Sequence, residues 1–202
     1  MKVFIMSKLS EFNFIIAIDT SGSMGEPVKA GSKISRWEAV QESAITLIRD
    51  VEQFDDDGLG LVLFGGSKIN SFDGVTADKF REIFSTRSPR GSTPLAQALK
   101  EAVNLVNAGR KPAVVVVFTD GVPDSKADVI DVITRASNAI ESDEDLTFLF
   151  IQVGDDASAK QYLETLDSDL KNCKFDIVDV KTVDEVDNFD NTAELILHAL
   201  VD

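Results

Sequence analysis

The chain has 202 residues, of which 44% are hydrophobic and 27% are charged, and its formal net charge at pH 7 is −15. The length suits a single α/β domain with one substantial core, and the well-mixed composition excludes extended disorder. Because 35 acidic side chains outnumber 20 basic ones and no basic patch is evident in the sequence, nucleic acid and anionic membrane are excluded as expected partners.

Expectations about compartment and domain boundaries come from the cysteine content and the N-terminus. Cys173 is the only cysteine, so no internal disulfide can form, and a reducing, cytoplasmic setting is the simpler expectation. Residues 1–8 make a poor signal peptide, and no apolar run approaches the roughly 20 residues that span a bilayer. We therefore expect one domain over residues 1–202, in which residues 1–11 form an N-terminal extension.

The first half of the chain predicts three strands and two helices. Ser35 and Glu38 have the spacing of a capping box, and the helix that follows carries apolar residues at helical intervals from Trp37 to Val51. The glycines at residues 65–66 permit a tight reversal between two antiparallel strands. The expected elements are strands at residues 12–18, 59–64 and 68–72 and, besides the capped helix, a short helix at residues 76–84.

The second half continues this alternation. Thr93 and Pro94 open a helix, because proline at the first helical position loses no donor that the helix needs. The β-branched run at residues 112–118 is typical of a central parallel strand that is covered on both faces. The remaining expected elements are helices near residues 129–140 and 162–166, strands at residues 146–153 and 175–180, and an interrupted helical segment at residues 182–200. This alternation implies a doubly wound sheet with helices on both faces.

Three oxygen-bearing segments fall at one edge of the expected sheet. Asp19, Ser21 and Ser23 follow the first strand, Asp120 follows the central strand, and Thr93 begins the helix that leads into it. Ligands of doubly wound sheets bind outside the carboxyl ends of the strands, so these segments can converge on one point. Carboxylate and hydroxyl oxygens suit a hard divalent cation such as Mg²⁺, whereas zinc and copper recruit His and Cys. The first segment therefore looks like part of a metal site.

In order and context, these segments resemble those of the von Willebrand factor type A domain. The metal-ion-dependent adhesion site of that family uses Asp-x-Ser-x-Ser, a distant Thr and a distant Asp, which correspond to residues 19–23, Thr93 and Asp120. The resemblance covers nearly the whole chain. It implies a three-layer, doubly wound α/β fold with a mostly parallel six-stranded sheet of order 3-2-1-4-5-6, in which strand 3 is antiparallel.

The resemblance also implies a role for each residue. Ser21 and Ser23 would be direct ligands, and Asp19, Thr93 and Asp120 would bind the cation directly or through water. The expected cation is Mg²⁺, with Mn²⁺ and Ca²⁺ as alternatives. Because two carboxylates neutralise the cation and the hydroxyls add no charge, it could still accept a Glu or Asp from a protein partner. The expected function is thus a non-enzymatic interaction or scaffolding module, or an effector module of a larger machine, as in chelatase subunits or tellurium-resistance systems.

The same residues allow other interpretations. Residues 21–23 and 120–121 are also turn formers, and Thr93 is a natural helix N-cap. The alternative function is a Mg²⁺-dependent phosphoryl-transfer or hydrolytic enzyme, since Asp19 stands where haloacid-dehalogenase-like phosphatases carry their nucleophile. Those enzymes need a second Asp two residues later as general acid, and Ser21 occupies that position here.

Four weaker features are assigned structural roles. We expect a solvated turn at residues 55–57, a helix cap at Asp124 or Ser125, a hairpin turn at residues 65–67, and a packed or surface side chain at His198. The functional interpretations of these features would be a second cation site, part of the metal-site rim, a phosphate loop and a catalyst, respectively.

Overall fold

The computed structural model describes residues 9–53, 58–109, 111–168, 170–186, 189 and 191–200. Six strands form one sheet of order β3-β2-β1-β4-β5-β6. The strands are β1 (Asn13–Asp19), β2 (Leu59–Gly65), β3 (Lys68–Val75), β4 (Ala113–Thr119), β5 (Leu146–Gln152) and β6 (Val178–Thr182). β3 is antiparallel to β2, and the other neighbouring pairs are parallel. The predicted strand order and the antiparallel third strand are confirmed.

Helices cover both faces of this sheet. The α-helices in the described part of the chain are α1 (Arg36–Val51), α2 (Ala77–Ser85), α3 (Leu95–Gly109), α4 (Lys126–Ala139), α5 (Ala157–Ser168), α6 (Val183–Val186) and α7 (Thr192–Ala199). Two apolar clusters result, one beneath α1, α2 and α7 and the other beneath α3, α4 and α5. Phe14, Ile16 and Ile18 of β1 enter the first cluster, whereas Ile15 and Ala17 enter the second. This alternation along a strand buried on both faces produces three layers.

The start of α1 forms as the sequence predicts. The Ser35 side chain accepts a hydrogen bond from the Glu38 backbone N–H, and the Glu38 carboxylate accepts one from the Ser35 N–H. This reciprocal cap satisfies two donors that the first helical turn leaves unpaired. Trp37, one position further along the helix than Arg36, stacks on Phe84 of α2 with ring centroids 4.0 Å apart. The cap and the stack together fix the first turn of α1 against its neighbour.

Some element boundaries differ from the sequence prediction. β6 begins at Val178 rather than at residue 175, because Phe175 exchanges both backbone hydrogen bonds with the Ser137 hydroxyl of α4. The third helix begins at Leu95, so Pro94 precedes it instead of occupying its first position. The predicted N-terminal extension falls mostly, and the predicted turn at residues 55–57 wholly, outside the described residues.

Candidate metal centre

Asp19 ends β1 with its side chain fully buried between β1 and β4. The parallel register aligns Ile18 with Phe118, which brings the ends of the two strands side by side. One carboxylate oxygen of Asp19 accepts a hydrogen bond from the Ser21 N–H at 2.8 Å, and the other accepts one from the Thr119 hydroxyl at 2.8 Å. The hydrogen bonds from Ser21 and Thr119 therefore hold the carboxylate in a fixed orientation.

The two serines and Asp120 line up beside Asp19. Ser21 Oγ lies 3.1 Å from Ser23 Oγ, and the Ser23 hydroxyl donates to Asp120 Oδ1, also at 3.1 Å. Adjacent ligands of an octahedral shell with bonds near 2.1 Å are about 3.0 Å apart, so these three oxygens have the spacing of neighbouring Mg²⁺ ligands. Ser21 and Asp120 are almost completely buried, and Ser23 is half-buried. The donor set and its spacing fit a small, hard cation.

Thr93 lies at the same edge of the sheet and is held through its backbone. Its N–H donates to Asp124 Oδ1 at 3.0 Å, and its carbonyl accepts from the Asp124 N–H at 3.0 Å. The Ser92 hydroxyl donates to the second Asp124 oxygen at 2.8 Å. The Thr93 hydroxyl itself makes no hydrogen bond to any residue that the structure describes, so it remains available to a ligand.

The structure selects one of the two predicted helix-cap residues, Asp124 and Ser125. Ser125, not Asp124, caps α4, because its hydroxyl accepts from the Asp128 N–H. The Asp124 carboxylate instead fastens the segment that carries Thr93 to the loop after Asp120. The sequence does not indicate this contact, because Asp124 and Thr93 are 31 residues apart.

Backbone contacts join the loops that carry these residues. The Gly22 N–H donates to the Gly91 carbonyl at 3.0 Å, and the Arg90 N–H donates to the Thr20 carbonyl at 2.8 Å. Gly91 has a φ of +83°, and a Cβ at this position would collide with the backbone of Gly66. Only glycine allows the two loops to approach so closely without strain. The hairpin turn predicted at residues 65–67 is thus confirmed and lies against the segment that precedes Thr93.

Burial dominates the electrostatics of Asp19. It raises the pKa of Asp19 from its ordinary value of 3.8 to about 7, and the nearby negative charge of Asp120 acts in the same direction. The hydrogen bonds from Ser21 and Thr119 oppose this rise. In the absence of a cation, the site is therefore a poor place for two negative charges, and a positive charge at this point would favour the ionised carboxylate.

Arg36, the first residue of α1, supplies one positive charge that the sequence analysis missed. Its Nη1 lies 2.6 Å from Asp120 Oδ2, 3.3 Å from the Ser23 carbonyl oxygen and 3.6 Å from Glu26 Oε2. The side chain is only 11% exposed, and its Nε has no hydrogen-bond partner within the described part of the chain. Arg36 is 84 residues from Asp120 in sequence, and only the packing of α1 on the sheet brings the two together.

The structure therefore brings four of the five predicted residues into one hydrogen-bonded cluster, with Thr93 held at the same edge by Asp124. His198 lies on α7 against the Phe189 ring and 3.9 Å from Asp179. Among the described residues, no three His, Cys, Asp or Glu side chains form a group that could hold a metal. A cation at this edge would consequently depend on hydroxyl oxygens as well as on the two carboxylates.

The fold and this cluster define a doubly wound α/β domain with a candidate oxygen-ligand site at the carboxyl edge of its sheet. The sequence model of the von Willebrand factor type A domain matches residues 14–122, which is more than half of the chain. The chain belongs to this family. Domains of the family generally mediate protein–protein interactions, often in a metal-dependent way, and are typically not enzymes.

Solved structures with the same fold come from several organisms. Manganese-loaded TRAP of Plasmodium vivax matches with a TM-score of 0.63 at 20% identity, over 88% of this chain and 71% of that chain. The D319A mutant of the PilB minor pilin of Streptococcus sanguinis matches with a TM-score of 0.60 at 11% identity, over 93% and 60%. A von Willebrand factor type A protein of Catenulispora acidiphila matches with a TM-score of 0.58 at 16% identity, over 94% and 41%.

These identities are low enough that the likeness concerns the fold alone. The present chain spans well under two thirds of the Catenulispora chain and somewhat under two thirds of the pilin chain. No curated protein matches the sequence with significance. Within the part of the chain that the structure describes, no helix has the length and apolarity needed to cross a membrane.

Proposed function

We propose that this chain is a divalent-cation-dependent protein-binding module. Asp19, Ser21, Ser23, Thr93 and Asp120 would hold Mg²⁺, with Mn²⁺ and Ca²⁺ as alternatives. When bound, the cation would supply a Lewis-acidic position for a Glu or Asp carboxylate of a protein partner. The cytoplasmic setting expected from the sequence remains part of this proposal.

The gathering of buried oxygens at one point, with a spacing compatible with a cation shell, is the observation that carries the proposal. Ser21 Oγ, Ser23 Oγ and Asp120 Oδ1 follow one another at 3.1 Å, close to the separation of adjacent ligands around Mg²⁺. A solvated turn would give no reason for burying Ser21 and Asp120 almost completely. Asp19, fully buried behind the serines, offers a second carboxylate whose ionised form is unfavourable without a counter-charge.

The charges around the site favour an external carboxylate. Asp19 and Asp120 contribute two negative charges when both are ionised, and the Arg36 guanidinium beside Asp120 offsets one of them. A divalent cation would then be only partly neutralised by the protein. An acidic side chain from outside would complete the neutralisation, whereas a neutral or basic one would not. The manganese in the Plasmodium TRAP structure adds support from a protein of the same fold.

Cation binding and partner binding can be tested together. Calorimetric titration with Mn²⁺ and with Mg²⁺ should show one site in the wild-type protein, and the Ser23→Ala variant should bind either ion at least roughly tenfold more weakly because it loses a ligand. Ser43→Ala is a matched control, since Ser43 lies on α1 and its side chain makes no hydrogen bond with the described residues. Affinity capture from the native host should retrieve partners in Mg²⁺ but not in EDTA. Equal capture in both, or by Ser23→Ala, would refute the proposal.

The enzymatic alternative has weaker support. A phosphatase nucleophile must reach its substrate, but both Asp19 oxygens accept hydrogen bonds and the side chain is fully buried. The position of the required general acid is taken by Ser21, whose hydroxyl lies against Ser23. Hydrolysis of a generic phosphate ester in the presence of Mg²⁺, lost in Asp19→Asn, would favour the enzyme instead.

A further inference from the structure

A cavity of about 500 Å³ lies beside the candidate metal centre and is lined by three basic side chains. Lys68 comes from the start of β3, and Arg87 and Arg90 come from the segment between α2 and α3. Thr20 and Gly91 form part of the wall, and none of the described residues that line the cavity is acidic. We refer to this feature, defined by Lys68, Arg87 and Arg90, as the basic cavity.

The three basic side chains have no carboxylate partner among the described residues. Lys68 and Arg90 make no ion pair or side-chain hydrogen bond with any of them. The Arg87 side chain donates only to the amide oxygen of Asn70 at 2.9 Å, and its buried Nε has no described partner. Arg36, Arg81, Arg135, Lys160 and Lys181 each lie within ion-pair distance of a carboxylate, whereas other described lysines, such as Lys100 and Lys111, also lack one. What sets Lys68, Arg87 and Arg90 apart in a chain with a net charge of −15 is that they line one cavity with no acidic residue among its described lining.

The sequence alone did not reveal this cluster, because its members are separated by up to 22 residues. The β2–β3 hairpin places Lys68 directly opposite Gly65, and the adjoining Gly66 N–H donates to the Ser92 carbonyl at 2.9 Å. This contact brings the segment that carries Arg87 and Arg90 against the hairpin. The cluster is thus a product of the tertiary fold.

Two backbone hydrogen bonds join the wall of the basic cavity to the loop that carries the serines of the candidate metal centre. The Arg90 N–H donates to the carbonyl of Thr20, the residue between Asp19 and Ser21. The Gly91 carbonyl accepts from the Gly22 N–H, between Ser21 and Ser23. An extended peptide advances by roughly 3.3 Å per residue. If one of its side chains lies at the serines, the residues next to it would therefore lie close to the basic cavity.

We propose that the basic cavity binds additional acidic side chains of the same partner, so that the partner's recognition segment contains at least two Asp or Glu residues within a few positions. This inference rests on the proposed function, which supplies the contact of the first acidic residue. Charge complementarity selects an acidic protein segment. Nucleic acid fits less well, because the net charge of −15 repels a long phosphate backbone beyond the three cations.

A random dodecapeptide library displayed on phage tests this inference without requiring the natural partner. Selection in Mg²⁺ on the wild-type protein should enrich one invariant acidic position together with further Asp or Glu residues nearby. On the Lys68→Glu/Arg90→Glu variant, the invariant position should persist and the further acidic residues should disappear. Lys100→Glu/Lys111→Glu is the matched control, since both lysines are exposed, lie outside the basic cavity and change the net charge equally.

Affinities of the recovered peptides give a second measurement. By fluorescence anisotropy in Mg²⁺, the double reversal at Lys68 and Arg90 should weaken a peptide with several acidic residues by roughly tenfold, because each exposed ion pair contributes a few-fold. A peptide reduced to the single invariant acidic residue should bind both proteins equally. Urea denaturation of the variant checks that its fold is intact.

The possible outcomes separate the two ideas. Mg²⁺-dependent peptides with a single acidic residue and no neighbouring acids would overturn this inference while supporting the proposed function. Acidic peptides that survive EDTA but are lost on the Lys68→Glu/Arg90→Glu variant would support the basic cavity and refute the cation-dependent contact. Recovery of no acidic peptides, or tighter binding of a single-stranded oligonucleotide than of any peptide, would overturn the inference.

Discussion

Replacing Asp19 by Asn should make the cation-free protein more stable at neutral pH while abolishing its response to Mg²⁺. The carboxylate is fully buried, its pKa is raised to about 7 mainly by that burial, and the charge of Asp120 contributes further. Asn keeps the size of Asp19 and one of its two accepting oxygens but cannot ionise, and its amide nitrogen can donate to the Thr119 hydroxyl oxygen in place of the second accepted bond. The variant therefore removes the buried charge without opening a cavity.

The expected magnitude follows from the difference between the two pKa values. In the unfolded chain the carboxyl loses its proton near its ordinary value of 3.8, whereas in the folded protein it keeps the proton up to about 7. Between these values the folded state binds more protons, so the free energy of unfolding falls as pH rises. The total loss is about 4 kcal/mol, of which roughly 2.5 kcal/mol falls between about pH 5 and about pH 8.

Urea denaturation in EDTA measures this effect as a difference between the two proteins. On going from about pH 5 to about pH 8, the Asp19→Asn variant should gain roughly 2.5 kcal/mol relative to the wild type. Titrating groups that do not interact with Asp19 are common to both proteins and cancel. Adding Mg²⁺ at about 100 times its dissociation constant should stabilise the wild type by about 2.7 kcal/mol and leave the variant unchanged.

Two results would refute this reasoning. If the difference between the proteins in EDTA stays constant across this pH range, the Asp19 carboxyl does not keep its proton in the folded state. If Mg²⁺ stabilises Asp19→Asn as much as the wild type, Asp19 is not part of the cation site.

Two other substitutions test the surroundings of the site. In calorimetry, Arg36→Gln should bind Mn²⁺ at least about tenfold more tightly than the wild type, because it removes a positive charge that competes with the cation for Asp120. Arg36→Lys keeps the charge and should bind like the wild type. Weaker binding by Arg36→Gln would show that Arg36 instead positions Asp120. Gly91→Ala should lower the free energy of unfolding by about 2–4 kcal/mol, because φ is +83° and the new Cβ meets Gly66. A Cβ at Gly121 would meet no atom within 4 Å, so Gly121→Ala should lower the free energy of unfolding by less than about 1 kcal/mol. Equal losses in Gly91→Ala and Gly121→Ala would contradict this account.

The sheet was predictable because its signals are local. The strands at residues 112–118 and 59–64 are continuous apolar runs, and such runs are typical of strands covered on both faces. The glycines before Lys68 marked the hairpin, and the Ser35–Glu38 pair marked the start of α1. The predicted start of β6 was wrong because the Phe175 backbone hydrogen-bonds to the Ser137 side chain of α4. Sequence periodicity carries no information about a contact between two separate elements.

The candidate site was predictable only in part. Asp19, Ser21 and Ser23 lie together in sequence, and the rule that ligands bind at the carboxyl ends of strands placed Asp120 and Thr93 near them. The structure brings these segments to one edge of the sheet, with the serines, Asp19 and Asp120 in direct hydrogen-bonded contact. Their role as metal ligands remains a prediction.

The sequence by itself determined the doubly wound architecture and which oxygen-bearing residues follow the strand ends at one edge of the sheet. Both depend on patterns within single strands and helices. Only the tertiary structure decided the charges around that edge. Arg36 meets Asp120 across 84 residues, and Lys68 joins Arg87 and Arg90 through a hairpin contact. The energy of a charge depends on its distance to other charges and on its burial, and both quantities exist only after the chain has packed.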